Sequence, residues 1–293
     1  METNDRLEFL PLTSWRESVA AEEQNRALDA LEAGKVVAAP RLAFLLEPAE
    51  TELLAVARAD RRKNISFDPD KRAIAHAADS GDSALLEAMM ERFSRCALSL
   101  VQALLPTYAP HLALGRASFR PAEIKGRAAS PRHDDTRLHV DAFPSRPVQG
   151  RRILRVFTNV AEDGAARRWR IGEPFADFAR RFAPRLRPPP PGAATALQLF
   201  GVTKSRRSPY DHYMLALHNL AKLDDAYQAS APNIEVDFAP GTTWLCFTDQ
   251  VLHAALSGHA ALEQTFYLPV EAMRAPSTAP LRVLEGLMGR PLA

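Results

Sequence analysis

His139 and Asp141 stand two residues apart in the stretch Thr136-Arg-Leu-His-Val-Asp-Ala-Phe143. In an extended chain residues i and i+2 face the same way, so an imidazole and a carboxylate at this spacing can hold one metal ion from one side. A second imidazole would complete a facial set of two histidines and one carboxylate. Such a set leaves the opposite octahedral positions open, as non-haem Fe(II) oxygenases require for a chelating cosubstrate and O2. His253 is the candidate, with His259 in reserve. It follows Pro240-Gly241-Thr-Thr-Trp-Leu-Cys-Phe-Thr-Asp249, a turn and a mostly apolar strand that would deliver the histidine at its end. An isolated His-x-Asp is also the pattern of a surface salt bridge or a capped turn. The downstream strand and His253 therefore carry the metal reading.

Elements that could position this motif lie on both sides of it. Leu85, Leu86, Met89, Met90, Phe93, Cys96, Ala97, Leu100, Val101 and Leu104 recur at helical spacing until Pro106, predicting the longest helix of the chain as a brace for a sheet. Ser14-x-x-Glu17 has capping-box spacing and Gly34 the place of a left-handed cap, predicting a helix over 14–33. A strand over 35–39 and a helix around 50–60 follow. After the motif, residues 151–159 alternate with period two. Ile153, Arg155 and Phe157 share one face, Arg152 and Leu154 the other. An arginine between Ile153 and Phe157 calls for water or an anion, because a guanidinium is rarely buried without a partner.

Further on, residues 175–182 read as a short amphipathic helix, Pro188 to Gly192 as a stiff connector, and 195–202 as a strand. Ser208-Pro-Tyr-Asp211 reads as the cap of a helix reaching about Leu223. His212 and His218 are six apart, not the i, i+4 of a helical metal pair, so they read as packing or substrate contacts. Strands are predicted over 234–238, 242–247 and 262–268, with a short helix from Pro280.

At 293 residues the chain can bury a full core. It has no run of about 18 apolar residues, and Glu2, Asp5 and Glu8 replace the basic, apolar start of a secretory signal. No transmembrane segment is expected. Cys96 and Cys246 sit in apolar patterns as buried thiols, which fits a reducing, cytoplasmic setting. The net charge of +2 is unevenly spread. Residues 1–60 hold 6 basic and 12 acidic side chains, whereas 116–187 hold 17 basic and 8 acidic. A basic surround at the motif points to an anionic substrate, a nucleic acid or an acidic membrane surface. Arginine outnumbers lysine 31 to 6, so a codon bias also contributes. The run Arg61-Arg-Lys63 reads as a solvated loop.

The order of parts, helices, strands, His-x-Asp, a strand ending in Asn159, an insertion, a Pro-Gly turn, a strand, a histidine and a last strand, resembles the double-stranded β-helix (jelly-roll) core of Fe(II)/2-oxoglutarate dioxygenases. More narrowly, Asp134 to Ser145, Arg152 to Asn159, Ser208 to His212, Phe247-Thr-Asp249 with His253-Ala-Ala, and Leu262-Glu-Gln-Thr265 resemble the 3-deoxy-D-manno-oct-2-ulosonic acid (Kdo) hydroxylase family from about Leu7 onward.

The resemblance implies an α+β fold in one domain spanning 1–293. A mainly helical part with an α/β preamble and bracing helices occupies 1–110, a jelly-roll core 111–270 with an insertion at 161–233, and a tail 271–293. It implies hydroxylation of carbon 3 of Kdo, on a Kdo-bearing lipid A precursor, with Fe(II), O2 and 2-oxoglutarate, giving the sugar acid Ko. No nucleic acid is implied. The enzyme would work in the cytoplasm, in peripheral contact with the inner membrane.

The metal ligands are then His139, Asp141 and His253. Many dioxygenases of this fold hold the far carboxylate of 2-oxoglutarate with a cation about ten residues beyond the distal histidine, where this chain has Leu262, Glu263 and Gln264. Arg155 is the expected substitute and Arg152 the second choice, with Asn159 and Gln264 beside the cosubstrate. Arg120, Arg127, Arg137, Tyr210 and His212 are expected to contact substrate. Two rivals share the ligand types: a cupin-like enzyme using another divalent metal, and a non-catalytic jelly roll that docks anionic glycolipid.

Overall fold

In the computed structural model, residues 5–59, 64–75 and 82–293 are described. Arg61 to Lys63, read above as a basic loop, lie outside them. The chain opens with β1 (Leu7–Phe9), α1 (Ala21–Glu32), β2 (Val36–Ala39), α2 (Pro48–Ala59), β3 (Ile65–Asp68), β4 (Ala73–Ala75) and α3 (Asp82–Leu104). Next come β5 (Ala113–Arg120), β6 (Arg152–Asn159), β7 (Arg167–Ile171), α4 (Phe175–Phe182), α5 (Ala193–Leu199), α6 (Pro209–Leu223) and α7 (Asp225–Ser230). The last part is β8 (Ile234–Phe238), β9 (Thr243–Phe247), β10 (His253–Ser257), β11 (Ala261–Leu268) and α8 (Pro280–Met288).

The result is a mixed α+β architecture with two unequal sheets. One has eight strands in the order β1-β2-β9-β6-β11-β5-β3-β4, the other three in the order β10-β7-β8. All eight residues of β6 are buried, because it lies between β9 and β11 with both faces covered. One face of the large sheet meets α3 through β11, β5, β3 and β4, and Met89, Met90, Phe93, Ala97, Leu100 and Val101 of this helix are buried as their spacing predicts. The other face packs on the small sheet through an aromatic cluster. Trp244 stacks on Phe238 at 4.2 Å and on Phe157 at 5.4 Å, and Trp169 meets Phe157 edge-on at 5.0 Å.

Three expectations change. The first helix begins at Ala21, and Ser14 only accepts from the Arg16 N–H. Trp15 explains this: its indole donates to the Ala43 carbonyl and its ring packs on Phe44 and Phe93, drawing 14–17 out of helical register. Residues 195–202 are not a strand. The Ala-Ala-Thr-Ala-Leu-Gln-Leu run forms α5 after Gly192 turns the chain at φ +76°, in keeping with its alanine content. The stretch 161–233, expected as an insertion, supplies β7, the middle strand of the small sheet.

Arg152 is buried on the helix-facing side of β6. Its Nε donates to Asp249 at 2.8 Å, its Nη2 to Gln250 Oε1 at 2.6 Å, and its guanidinium lies 3.8 Å from the Phe247 ring centre. Asp249 also accepts from the Ile153 N–H. Removing one partner of a buried, hydrogen-bonded ion pair strands the other. Arg152→Ala is therefore expected to lower the free energy of unfolding by about 3–5 kcal/mol, measurable by urea denaturation.

Candidate metal centre

His139 and His253 face each other across an antiparallel bridge, each backbone N–H donating to the other's carbonyl at 3.0 and 2.9 Å. The Asp141 N–H donates to the Thr248 carbonyl at 2.8 Å, fastening the motif to the turn between β9 and β10. His253 thus opens β10 instead of ending the strand before it. The three side chains converge, with one ligand atom from each within 4.8 Å of the others.

A carbonyl can only accept, so the short Nδ1 contacts of His139 to Arg137 O (2.8 Å) and of His253 to Val251 O (2.9 Å) fix the tautomers. Both Nε2 lone pairs are left for a metal. Asp141 Oδ2 is buried with no hydrogen-bond partner. Two lone pairs and a carboxylate whose Oδ2 meets only the Arg155 guanidinium, at 3.2 Å, converge on one space and fit a divalent cation with an open face.

Protonation states suit the same role. Burial, reinforced by His253 and Lys222, holds His139 well below the ordinary histidine range, and burial lowers His253 as well. Burial alone would raise Asp141, but Arg155 and the two histidines overcome it and keep the carboxyl below its usual range. Two neutral imidazoles and one anion await the metal. Trp169 stacks on His253 at 5.2 Å, and His218, donating Nδ1–H to Val140 O, meets His139 edge-on at 5.1 Å.

The three side chains line a cavity of about 210 Å³ between the sheets, into which Arg120, Arg155 and Arg167 also project. That is smaller than the roughly 300–1,000 Å³ of pockets for larger ligands, and suits a compact cosubstrate. Arg120 grips Glu263 through Nε and Nη2 at 2.9 and 3.1 Å. Arg155 reaches Asp141 at 3.2 Å and Glu263 at 3.6 Å. Arg167 donates to the Gly258 carbonyl at 2.8 Å and has no ion pair among the described residues. Burial, with Arg120 adding repulsion, lowers its pKa to about 10. Gly258, at φ +101°, allows this approach: a Cβ there would come within 2.7 Å of the Ala166 carbonyl.

Of the residues predicted around the metal, Arg155 and Arg120 reach the cavity. Arg152 does not, because it belongs to the ion pair with Asp249 on the opposite face of β6. Nor do Asn159 and Gln264. The Asn159 side chain bonds the Ala165 and Phe238 carbonyls and the Ala161 N–H, and Gln264 donates to Gly115 O. Arg127 pairs with Asp135 at the rim, and Arg137 with Asp225 outside it. Tyr210 is buried in the core. His212 makes no hydrogen bond to the cavity residues: its Nε2–H donates to Arg187 O at 3.0 Å, and it lines a separate cavity of about 780 Å³. His259 sits between Glu123 and Asp163, not among the metal ligands.

Sequence reasoning missed Arg167, Trp169, Glu263, Phe143, Phe157 and Asp135 as cavity residues. The signal for the first two was the alternation of Arg167, Trp169 and Ile171 within Arg-Arg-Trp-Arg-Ile, and for Glu263 its place as the one charged side chain in the strand Ala261–Leu268.

The family model for 3-deoxy-D-manno-oct-2-ulosonic acid (Kdo) hydroxylase matches residues 14–291. No curated protein matches the chain. A crystal structure of the Kdo hydroxylase KdoO, described as a non-heme Fe(II) alphaketoglutarate dependent dioxygenase in complex with alphaketoglutarate and Fe(III), is 44% identical, covers 98% of this chain and 97% of its own, and superposes with a TM-score of 0.95. The apo structure of KdoO gives the same identity, coverage and score. HygX from Streptomyces hygroscopicus with iron bound is 12% identical over 86% of this chain and 88% of its own, with a TM-score of 0.43. A match along nearly the whole chain, joined to a close structural counterpart, establishes that the chain belongs to the Kdo hydroxylase family.

Proposed function

We infer that this protein is an Fe(II)/2-oxoglutarate-dependent dioxygenase that hydroxylates Kdo, at carbon 3 of the sugar in a Kdo-bearing lipid A precursor, to give Ko. The observation that carries the reading is the His139, Asp141 and His253 cluster opening on a cavity with three arginines. Likeness to KdoO, which is described with Fe and alphaketoglutarate, supports the choice of metal and cosubstrate over a cupin-like or non-catalytic role. The two facing sheets are consistent with a double-stranded β-helix.

When bound, Fe(II) would supply the activation of O2 that couples oxidative decarboxylation of 2-oxoglutarate to succinate and CO2 with hydroxylation of the sugar. The chain's own residues prepare the place. Arg155 orients Asp141, Trp169 and His218 hold the two imidazole planes, and Phe143, Phe157 and Trp169 keep the cavity wall dry. Arg120 and Arg155 already hold Glu263, and Arg155 also holds Asp141, which supports Arg167 over Arg155 as the partner of the far carboxylate of 2-oxoglutarate. Arg127, at the rim, is suited to the sugar carboxylate. Among the described residues no helix is long and apolar enough to cross a membrane, and the substrate would be met in peripheral contact with the cytoplasmic face of the inner membrane.

The test is succinate release by Fe(II)-loaded protein with and without the Kdo-bearing precursor, and release without any dependence on the sugar would speak against it. Attraction between the arginine-rich surround and a polyanionic glycolipid is screened by salt, so turnover of the lipid-linked sugar should fall as ionic strength rises through the physiological range. Free Kdo lacks the lipid phosphates. It should be a poorer substrate with a shallower salt dependence, and equal turnover of the two forms at every salt concentration would remove the glycolipid from the reading.

A further inference from the structure

The segment from Phe178 to Tyr210 contains seven basic residues and no acidic one. Arg180, Arg181 and Arg185 are paired with Asp177, Glu173 and Asp224. Arg187, Lys204 and Arg206 are exposed and make no ion pair among the described residues. Between these cations in the chain lie the two most exposed large apolar side chains among the described residues. Leu199 is 80% exposed, Phe200 79% and Val202 54%, all at the C-terminal end of α5 and the turn after it. The other exposed large apolar side chains among the described residues, Phe9, Leu45, Leu223 and Leu287, stand singly along the chain, whereas Leu199, Phe200 and Val202 fall within four positions and form a patch.

The patch is tied to the mouth of the metal cavity. The Lys204 N–H donates to Ser145 O at 2.9 Å and Arg207 Nη2 to Pro144 O at 2.7 Å, while Phe143, one residue away, lines the cavity. An apolar tip flanked along the chain by exposed cations is complementary to a bilayer surface with anionic headgroups, where apolar side chains sink to the acyl boundary and cations meet phosphates.

We propose that Leu199, Phe200 and Val202 insert into the headgroup layer of an anionic bilayer, with Arg187, Lys204 and Arg206 on its phosphates, and so hold the cavity mouth at the membrane surface. The proposal rests on the functional reading only for why the cavity should face lipid. It specifies which residues make the contact.

The test is flotation of the full-length protein with vesicles of equal parts phosphatidylethanolamine and phosphatidylglycerol, against vesicles of phosphatidylcholine alone. Wild type should float with the anionic vesicles only. The double variants L199S/F200S and K204E/R206E should each lose binding on the order of tenfold or more, with melting temperatures unchanged because these side chains touch solvent. No flotation of wild type would overturn the proposal, and so would flotation of either variant equal to wild type. Neither outcome bears on Fe(II) binding or succinate release, which judge the metal-centre reading separately.

Discussion

Replacement of His253 by alanine is expected to abolish stoichiometric Fe(II) binding and reduce succinate release to background, while the protein remains folded. The ion would have only three protein bonds, so loss of one removes a third of its attachment and the Lewis-acid position with it. The fold should persist because the bridge to His139 is made by backbone groups, which alanine keeps. The lost side chain costs its stacking on Trp169 and leaves a small void, in the range of about 1–3 kcal/mol. Metal analysis after anaerobic loading, with circular dichroism on the same sample, separates metal loss from unfolding. Near-wild-type turnover would remove His253 from the ligand set, and His259 cannot replace it while held between Glu123 and Asp163.

Arg167→Ala is expected to raise the 2-oxoglutarate requirement by roughly ten- to a hundredfold, since losing a charge-assisted contact to a carboxylate costs about 1.5–3 kcal/mol. With a divalent ion bound, the metal and Arg120, Arg155 and Arg167 exceed by about two charges what Asp135, Asp141 and Glu263 offset, and a dianion restores balance. The effect should fall on KM for 2-oxoglutarate. Arg155→Ala should instead weaken Fe(II) binding, because Arg155 holds Asp141 in its anionic form. Stability separates the arginines again. Arg167 is a desolvated cation without a carboxylate, so its removal should cost the fold little, in contrast to Arg152→Ala. If Arg155→Ala shifts the 2-oxoglutarate requirement and Arg167→Ala does not, the assignment reverses.

The convergence of His139, Asp141 and His253 was legible because it is local chemistry: spacing two in an extended segment, and a histidine after a strongly apolar strand. The long brace helix and the Ser208 and Asp211 capping box were legible for the same reason, each being written within a few residues. What surrounds the metal was less so. Arg152 and Arg155 lie on one strand and differ only in which face they take. The outcome depended on Asp249 and Gln250, almost a hundred residues away, claiming the first. Arg167 and Trp169 were hidden inside a supposed insertion because their strand acquires its place only by pairing with β8 and β10. Tyr210 and His212 looked like site residues beside a recognisable motif, yet that motif caps a helix.

The central claim is tested most directly by supplying isotopically labelled O2 to anaerobically prepared, Fe(II)-loaded protein with 2-oxoglutarate and a Kdo-bearing lipid A precursor, and weighing both products by mass spectrometry. One labelled oxygen should appear in the Kdo sugar and one in succinate, in equal amounts, and neither product should form without O2. A sugar product that carries no label, or that forms in the absence of O2 or 2-oxoglutarate, would contradict the assignment.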